Sequence, residues 1–351
     1  MASGPFVHRI ILAALLIAVA VPAFGQQRVV EVLPDGTTRL GPRDVPLPAT
    51  ISPELRAQMS HLPDPVNGAI GLAGQREGMR NFARAQNPAL EAQYHARVTP
   101  GMVGAVKINT VTPATIPAIL RDRVLLHIHG GGFTVCDLDC SYKEALAISG
   151  LTHIKAVSLD YGLSPEHKFP SAVNEAIAVY RDLLKTHKPN HIAVFGSSAG
   201  AILSAELIAR LKQLGLPLPG ALGFLSGSTD FARAGDTQSL YGIRGFSIPR
   251  SDAVGEAGQV YLGESDPRDP VASPIYSDLH GWPPTLLMSS TRDLLLSGTA
   301  NFERALHAAG VPTELVIYDG AIHTFWLYRN TPEAYQALDR QAEFLVRQLS
   351  R

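Results

Sequence analysis

Residues 192–214 read IAVFGSSAGAILSAELIARLKQL, and this stretch decides the fold. Its first four residues, Ile192–Phe195, are apolar and predict a buried β-strand. The amphipathic pattern over Ala199–Leu214 predicts a helix directly afterwards. Between them, the turn GSSAG at 196–200 contains only small side chains. The stretch therefore predicts a strand, a very tight turn and a helix.

The turn matches the pattern G-x-S-x-G, in which a serine lies between a strand and a helix. Gly196 and Gly200 leave room for the turn and for close approach of the strand and the helix. The turn would hold the Ser198 hydroxyl clear of the sheet, where the N-terminus of the helix favours negative charge. An ordinary Gly/Ser turn is the alternative, but the flanking strand and helix favour a nucleophile elbow with Ser198 as the nucleophile.

From about residue 98 the chain alternates between strand-like and helix-like runs. Several strand-like runs are almost entirely apolar, as is typical of central strands covered by helices on both faces. This alternation predicts an α/β fold with a mostly parallel central sheet flanked by helices. The predicted strands are Met102–Thr112, Val124–His129, Ala156–Asp160, Ile192–Phe195, Ala221–Leu225, Thr285–Ser289 and Glu314–Tyr318, and the predicted helices are Ala172–Thr186, Ala199–Leu214, Gly298–Ala309 and Glu333–Gln348.

Two regions lie outside this alternation. Residues 26–97 begin with a Pro- and Gly-rich arm, and the stretch at about 228–282 interrupts the core, residues 98–351. We expect the two regions to pack together as a helical cap over the edge of the sheet where ligands bind. Their helical patterns cover 52–61, 75–86 and about Ser251–Tyr261.

A glycine-rich loop, HGGGF at residues 129–133, follows the predicted strand that begins at Val124. Three successive glycines let the backbone pass close to a ligand and direct N–H groups at it. The N–H groups of Gly130 and Gly131, with that of Ala199, would bind the negative charge that develops on an ester carbonyl oxygen during attack by serine. A flexible loop is the alternative, but the pairing with a downstream elbow favours an oxyanion hole.

A serine nucleophile of this kind needs an acid and a histidine base, which follow it in that order. Asp293 and His323 each lie just after a predicted strand, so we expect both to meet Ser198 at one edge of the sheet. His323 would remove the hydroxyl proton, and Asp293 would fix the histidine tautomer and stabilise the imidazolium. Asp319 is the alternative acid, but it shares the loop of His323 and lies only four residues before it.

The chain has 12 histidines, so most of them need another explanation. His127 and His129 precede Ser198, which is the wrong order for the base, and we expect His129 to orient the glycine loop by a hydrogen bond. His187 and His191 in a connecting loop, and His307 in a predicted helix, are expected to be ordinary core or surface residues.

Together these residues resemble the hormone-sensitive-lipase-like branch of the α/β-hydrolase fold, the bacterial family IV esterases. The resemblance covers about residues 98–350. It includes DYGLSPEHKFP at 160–170, which is similar to the branch's D-Y-x-L-A-P-E-x-x-F-P pattern. The resemblance implies hydrolysis of carboxylic esters, usually with small to medium acyl chains, without a cofactor. It is also compatible with a homodimer formed through an edge strand.

The resemblance carries the triad roles to Ser198, Asp293 and His323, and the oxyanion role to the glycine loop. Two positions depart from the branch. Ser197 stands where Asp or Thr is usual, which affects the hydrogen bonds around the elbow. Leu294 replaces the proline that usually follows the acid, which would loosen the loop that directs Asp293. Neither change removes a reacting group, so we expect an active enzyme.

The composition excludes several classes of function. The 351 residues are 46% hydrophobic with a formal net charge of −1, which is typical of a globular chain and not of a disordered one. A nucleic-acid-binding protein would show a basic excess, so we expect no nucleic acid as a partner. The expected partner is a small-molecule ester substrate, because the predicted serine, histidine and acid act on esters. Two cysteines without paired histidines nearby do not make a zinc site, so no metal is predicted.

The first 25 residues predict an export signal. A weakly basic start precedes the apolar run Ile10–Val21, and small residues at Ala23 and Gly25 precede Gln26. The run is too short to cross a membrane, which needs about 20 apolar residues. We therefore expect cleavage after Gly25, a secreted or periplasmic protein, and no stable membrane span.

Cys136 and Cys140 are the two cysteines of the chain. An exported protein can pair its cysteines. However, this spacing places the pair one turn apart in a helix, and such a bridge closes a very small loop and stabilises little. The sequence therefore favours two buried thiols over a disulfide.

These observations predict an exported serine carboxylesterase. The alternatives are a lactonase or a deacetylase with the same triad, or an inactive hydrolase fold used for binding. Several large residues of the insertion would either line an acyl or alcohol pocket or pack the cap on the core. They are Phe231, Leu240, Tyr241, Phe246 and Tyr261.

Overall fold

The computed structural model describes residues 30–40, 44–60, 71–240, 256–327 and 330–351. The chain divides into two compact units, Met1–Pro46 and Leu47–Arg351. The predicted export signal, residues 1–25, lies outside the described residues.

The first unit contains an antiparallel pair of short strands, β1 (Val30–Val32) and β2 (Thr38–Leu40). Gly36 in the connecting turn has a φ of +85°, which glycine adopts at little steric cost. Its N–H donates to the carbonyl oxygen of Leu33 at 2.9 Å and closes the turn. The arm at the start of the predicted cap region therefore contains a small hairpin.

The second unit is built on an eight-stranded sheet. Its strands are β3 (Ala96–Val103), β4 (Val106–Pro113), β5 (Val124–Ile128), β6 (Lys155–Asp160), β7 (Ile192–Ser197), β8 (Ala221–Leu225), β9 (Thr285–Arg292) and β10 (Thr313–Ile322). They lie in the order β10-β9-β8-β7-β5-β6-β4-β3. All pairs from β10 to β6 are parallel, and β4 runs antiparallel to both of its neighbours. The predicted mostly parallel sheet is confirmed.

Helices cover both faces of the sheet. They are α1 (Pro53–Ser60), α2 (Leu72–Gln93), α3 (Lys143–Thr152), α4 (Ser171–Leu183), α5 (Ala199–Gln213), α6 (Asp236–Leu240), α7 (Glu256–Leu262), α8 (Leu296–Ala308) and α9 (Pro332–Leu349). The hydrophobic cluster on one face contains side chains of α1, α2, α3 and α9. The clusters on the other face contain side chains of α4, α5, α7 and α8.

Successive residues of the central strands contribute to opposite faces, and both faces are buried. In β5, Leu125 joins the cluster that contains α3 and α9. Its neighbours Val124 and Leu126 join the cluster that contains α4 and α5. All residues of β5 and β7 are buried. Burial on both faces explains why these strands are continuous apolar runs in the sequence.

One strand and one helix of the core differ most clearly from the sequence prediction. One strand is predicted over Met102–Thr112, but the chain turns at Gly104, where φ is +58°, and forms the hairpin of β3 and β4. Helix α3 is not predicted at all. Most of its side chains are buried, so it lacks the alternation of apolar and polar faces that marks a surface helix.

Parallel pairing brings the predicted site residues to one edge of the sheet. Strands β5, β7, β8, β9 and β10 are consecutive neighbours, so the loops after their carboxyl ends lie side by side. These loops carry the HGGGF stretch, the GSSAG turn, Asp293 and His323. The sheet therefore determines where the candidate site forms.

The close crossing of α5 over β5 gives a test of this packing. A Cβ on Gly200 would overlap the carbonyl oxygen of Ile128, whereas a Cβ on Gly78, inside α2, would meet no atom within 4 Å. We expect Gly200→Ala to lower the free energy of unfolding by about 1–3 kcal/mol, because backbone must move. Gly78→Ala should raise it by about 0.5–1 kcal/mol. Urea denaturation measures both, and equal stability of the two variants would contradict this packing.

Candidate active site

Ser198 lies at the tip of the tight turn between β7 and α5. Its backbone has a φ of +59° and a ψ of −124°, a sparsely populated region that costs a non-glycine residue about 1–3 kcal/mol. The turn is held on both sides: the Ser198 N–H donates to the carbonyl oxygen of Leu225 at 2.9 Å, and Ile202 N–H donates to the Ser198 carbonyl at 3.1 Å. The strained conformation is therefore fixed by the sheet and the helix, as an elbow requires.

The structure brings together the three side chains that the sequence singles out. His323 Nε2 lies 2.9 Å from Ser198 Oγ, and His323 Nδ1 lies 2.7 Å from Asp293 Oδ1. With Asp293 ionised, Nδ1–H donates to the carboxylate and Nε2 accepts from the Ser198 hydroxyl. The Asp293 carboxylate is fully buried, and the His323 side chain is 11% exposed. The arrangement can move a proton from the serine to the histidine.

Asp293 accepts hydrogen bonds from three groups besides His323. Its Oδ1 accepts the Leu295 N–H at 2.9 Å, and its Oδ2 accepts the hydroxyl groups of Ser226 and Ser289. Burial acts to raise the pKa of Asp293, but the charge of His323 and these hydrogen bonds outweigh it, so the pKa lies below its ordinary value. Asp293 is therefore ionised at neutral pH and fixed in orientation, although proline is absent after it.

The alternative acid, Asp319, serves a different part of the structure. Its carboxylate accepts the hydroxyl groups of Thr50 and Thr291. These contacts attach the segment before α1 to β10, and β10 to the last residues of β9. The hydrogen bonds of His323 therefore single out Asp293 as its acidic partner.

The glycine loop lies against the elbow. A Cβ on Gly130 would be 3.3 Å from the Cβ of Ser198, so the two backbones are in near contact. Within the residues that the structure describes, the N–H groups of Gly130, Gly131 and Ala199 donate to no protein acceptor. Three such donors close to a serine are a fitting site for an anionic oxygen.

Comparison with known proteins places this geometry in a family. A family model described as the alpha/beta hydrolase fold matches residues 125–327, more than half of the chain. The chain belongs to the α/β hydrolase family. An acetyl-hydrolase from Streptomyces hygroscopicus is 30% identical to this hydrolase over 264 residues, which are 74% of this chain and 87% of that protein.

Solved structures identify the branch. The hydrolase superposes on the crystal structure of esterase E25 with a TM-score of 0.76 at 30% identity, covering 88% of this chain and 98% of that one. It superposes on an esterase from the bacterial hormone-sensitive lipase family with a TM-score of 0.67 at 27% identity, covering 79% of this chain and 98% of that one. The predicted membership of the hormone-sensitive-lipase-like branch is confirmed.

His129 of the hydrolase is tied to the glycine loop. Its Nδ1 donates to the carbonyl oxygen of Gly130 at 2.7 Å, and its ring stacks on Tyr161 with centroids 4.2 Å apart. The Tyr161 hydroxyl donates to the His129 carbonyl at 3.0 Å. Burial lowers the pKa of His129 to about 3, so the ring is neutral and acts as a fixed donor.

A buried carboxylate that sequence reasoning missed lies beneath the elbow. Glu144 of α3 accepts hydrogen bonds on Oε1 from the hydroxyl of Ser197, at 2.5 Å, and from Nε1 of Trp326, at 2.9 Å. His127 Nε2 lies 3.2 Å from Oε2. Burial acts to raise the pKa of Glu144, but these hydrogen bonds and the charge of His127 keep it below its ordinary value. Ser197 therefore has a defined partner, although it departs from the branch's usual residue.

No local pattern in the sequence indicates these supporting groups. Glu144 lies on a helix that the sequence does not predict, Ser226 directly follows β8, and Ser289 lies within β9. Their roles come from contacts between residues far apart in the chain. Only the fold reveals them.

Cys136 and Cys140 are joined by a disulfide bond, so the prediction of two buried thiols is wrong. The prediction assumed a helical spacing, but the segment is not an α-helix. Cys136 has a φ of +80°, and a short 3₁₀ turn at Leu138–Cys140 folds the chain back. A Cβ on Gly131 would lie 2.9 Å from the Cβ of Cys136, so the disulfide adjoins the glycine loop.

Helix α2 is attached to this disulfide-closed loop through its charged face. Arg80 pairs with Asp137, and Arg84, one turn further along, pairs with Asp139. Asn87 Nδ2 donates to the Asp139 carbonyl at 2.7 Å. The helix from the N-terminal region therefore packs on the segment that follows the glycine loop.

Large residues of the insertion pack inward. Phe231 and Tyr261 are buried, and Tyr261 stacks on Phe133 with centroids 3.8 Å apart. This arrangement favours packing over pocket lining for these two residues. Leu240 is 54% exposed, whereas Tyr241 and Phe246 lie outside the described residues.

The described residues offer neither a metal site nor a membrane span. Among them, no group of three or more His, Cys, Asp or Glu side chains is placed to hold a metal ion. Likewise, no helix within the described part of the chain is long and apolar enough to cross a membrane.

Proposed function

We propose that this hydrolase is a serine carboxylesterase that works through an acyl-enzyme intermediate. The observation that carries the proposal is the hydrogen-bonded chain from Ser198 through His323 to Asp293, next to backbone N–H groups that have no acceptor among the described residues. The named esterases and the acetyl-hydrolase among its relatives support the same reaction class.

In the first half of the reaction, His323 Nε2 takes the proton of Ser198 Oγ as the oxygen attacks the carbonyl carbon of the ester. The carbonyl oxygen becomes an oxyanion, which the N–H groups of Gly130, Gly131 and Ala199 would bind. His323 then gives the proton to the alkoxide, so the alcohol leaves and the acyl group stays on the serine.

In the second half, His323 takes a proton from a water molecule that attacks the acyl-enzyme. The carboxylic acid leaves, and the serine oxygen recovers its proton from His323. Asp293 stays ionised throughout, because its role is to orient the imidazole and to stabilise the imidazolium.

We also propose short- to medium-chain esters as substrates and an exported location. An acetyl-hydrolase among the relatives supports a small acyl group. The Cys136–Cys140 disulfide supports export, since disulfides persist mainly in oxidising compartments. The signal-like sequence before Gln26 supports it independently.

Ser198→Ala tests the nucleophile. We expect turnover of p-nitrophenyl acetate to fall by roughly 10⁶, as in other enzymes of this type. A fluorophosphonate probe should label wild-type Ser198, which peptide mass spectrometry checks, and should not label the variant. If a folded wild-type protein refuses the probe, the inactive binding protein is the better hypothesis.

The identity of the acid is tested by a matched pair of substitutions. Asp293→Asn should lower kcat by roughly 10⁴, because the amide favours the wrong histidine tautomer. Asp319→Asn should leave kcat within about tenfold of wild type, since it weakens only exposed hydrogen bonds. The reverse ranking would assign the acid to Asp319.

A panel of esters separates the substrate classes. We expect p-nitrophenyl acetate and butyrate to have a higher kcat/KM than the palmitate, and to exceed lactones and acetylated sugars. The same triad would serve all of them, so the surroundings of the triad decide the ranking. A preference for palmitate would contradict the proposed acyl length, and a preference for lactones or acetylated sugars would favour the alternative functions.

A further inference from the structure

One buried carboxylate contacts residues next to three of the four segments that carry the proposed catalytic groups. Glu144 accepts from Ser197, the residue before the nucleophile, and from Trp326, three residues after the base. It also contacts His127, which lies on β5 just before the glycine loop. Glu144 thus links the strand before the glycine loop, the elbow and the segment after the base through one carboxyl group.

The carboxylate is built into the core and is not an accidental contact. Glu144 is 4% exposed, and Trp326 and His127 are fully buried. It lies in the first turn of α3, where the helix N-terminus favours negative charge. Its two oxygens accept in different directions, with Ser197 and Trp326 on Oε1 and His127 on Oε2.

The directions of the hydrogen bonds fix where the protons lie. The Ser158 hydroxyl donates its single proton to the Ser141 carbonyl at 2.7 Å. His127 Nδ1, 2.8 Å from the same hydroxyl, must therefore donate to it. A second proton then lies between His127 Nε2 and Glu144 Oε2, because two lone pairs at 3.2 Å would repel. Every donor in this network has an acceptor.

We infer that Glu144 is a positioning residue for the esterase reaction, holding the glycine loop, the nucleophile and the base in register through hydrogen bonds to His127, Ser197 and Trp326. The inference rests on the proposed function. Glu144 does not touch the substrate and takes no part in proton transfer. It acts by keeping Ser198 Oγ within 2.9 Å of His323 Nε2.

The consequence is specific to the chemical step. A displacement of about 1 Å in a reacting group costs up to about 10² in rate. The residues that Glu144 holds lie next to the proposed nucleophile, base and oxyanion donors, so loss of these contacts would disturb the relative positions of the reacting groups. Loss of its hydrogen bonds should therefore lower kcat more than it raises KM.

Two substitutions of Glu144 separate hydrogen bonding from charge. In Glu144→Gln, the amide oxygen can still accept from Ser197 and Trp326, and the amide N–H can donate to His127 Nε2. In Glu144→Leu, the leucine side chain is similar in size to glutamate but accepts no hydrogen bond, so Ser197, Trp326 and His127 lose their bonds to this position. We expect kcat with p-nitrophenyl acetate to fall about 10²-fold in the leucine variant and less than about tenfold in the glutamine variant.

Each kcat is calculated from the concentration of Ser198 that a fluorophosphonate labels when the labelling is complete. Unfolded molecules do not react with the probe and are therefore left out of the enzyme concentration. An unchanged kcat per labelled site in Glu144→Leu would overturn the inference, as would equal losses in the two variants. A wild-type protein that does not label at Ser198 would instead overturn the proposed function.

Tryptophan substitutions decide the question if Glu144→Leu does not fold. Trp326→Phe removes one donor to Glu144, and we expect about tenfold lower kcat per labelled site. Trp282→Phe is the matched control, because Trp282 is also buried but donates to the Asp278 carbonyl and not to Glu144. Equal kcat in the two variants would overturn the inference.

Discussion

The parallel pairing of β7 with β5 and β8 is the constraint on which the site depends. Because these strands run in one direction, the loops that follow them meet at one edge. The Ser198 N–H bonds to the Leu225 carbonyl at the end of β8, so the neighbouring strand also holds the strained elbow. An insertion of one residue in β7 would turn Ser198 away from His323, since successive residues of a strand face opposite sides.

Two buried carboxylates stabilise this edge in different ways. Asp293 accepts hydrogen bonds from His323 and from residues of β9 and the segments after β8 and β9, whereas Glu144 connects β5, the elbow and the segment after His323. Each is surrounded by donors that outweigh the cost of burial, so each remains ionised. The residue before the nucleophile is fixed by a pair of side chains, because the Ser197 hydroxyl donates a hydrogen bond to the Glu144 carboxylate of α3.

The sequence predicts what is encoded by local pattern. The tight turn at Ser198 needs small neighbours, and Asp293 and His323 follow apolar strands, so short stretches are enough to find them. Helix α3 is buried all round and gives no periodic signal, and Gly104 turns the chain within an apparently continuous strand. The contacts of Glu144 join residues that are distant in sequence, which no local pattern encodes.

The disulfide shows why spacing alone misleads. The separation of Cys136 and Cys140 suggests one helical turn, but the left-handed backbone at Cys136 reverses the chain, so that the same spacing closes a small ring. Gly131 packs on this ring from one side, and Arg80 and Arg84 of α2 bind its two aspartates from the other. The disulfide-closed ring therefore contacts both the glycine loop and the helix α2. The glycine loop is therefore linked to α2 through the disulfide-closed segment.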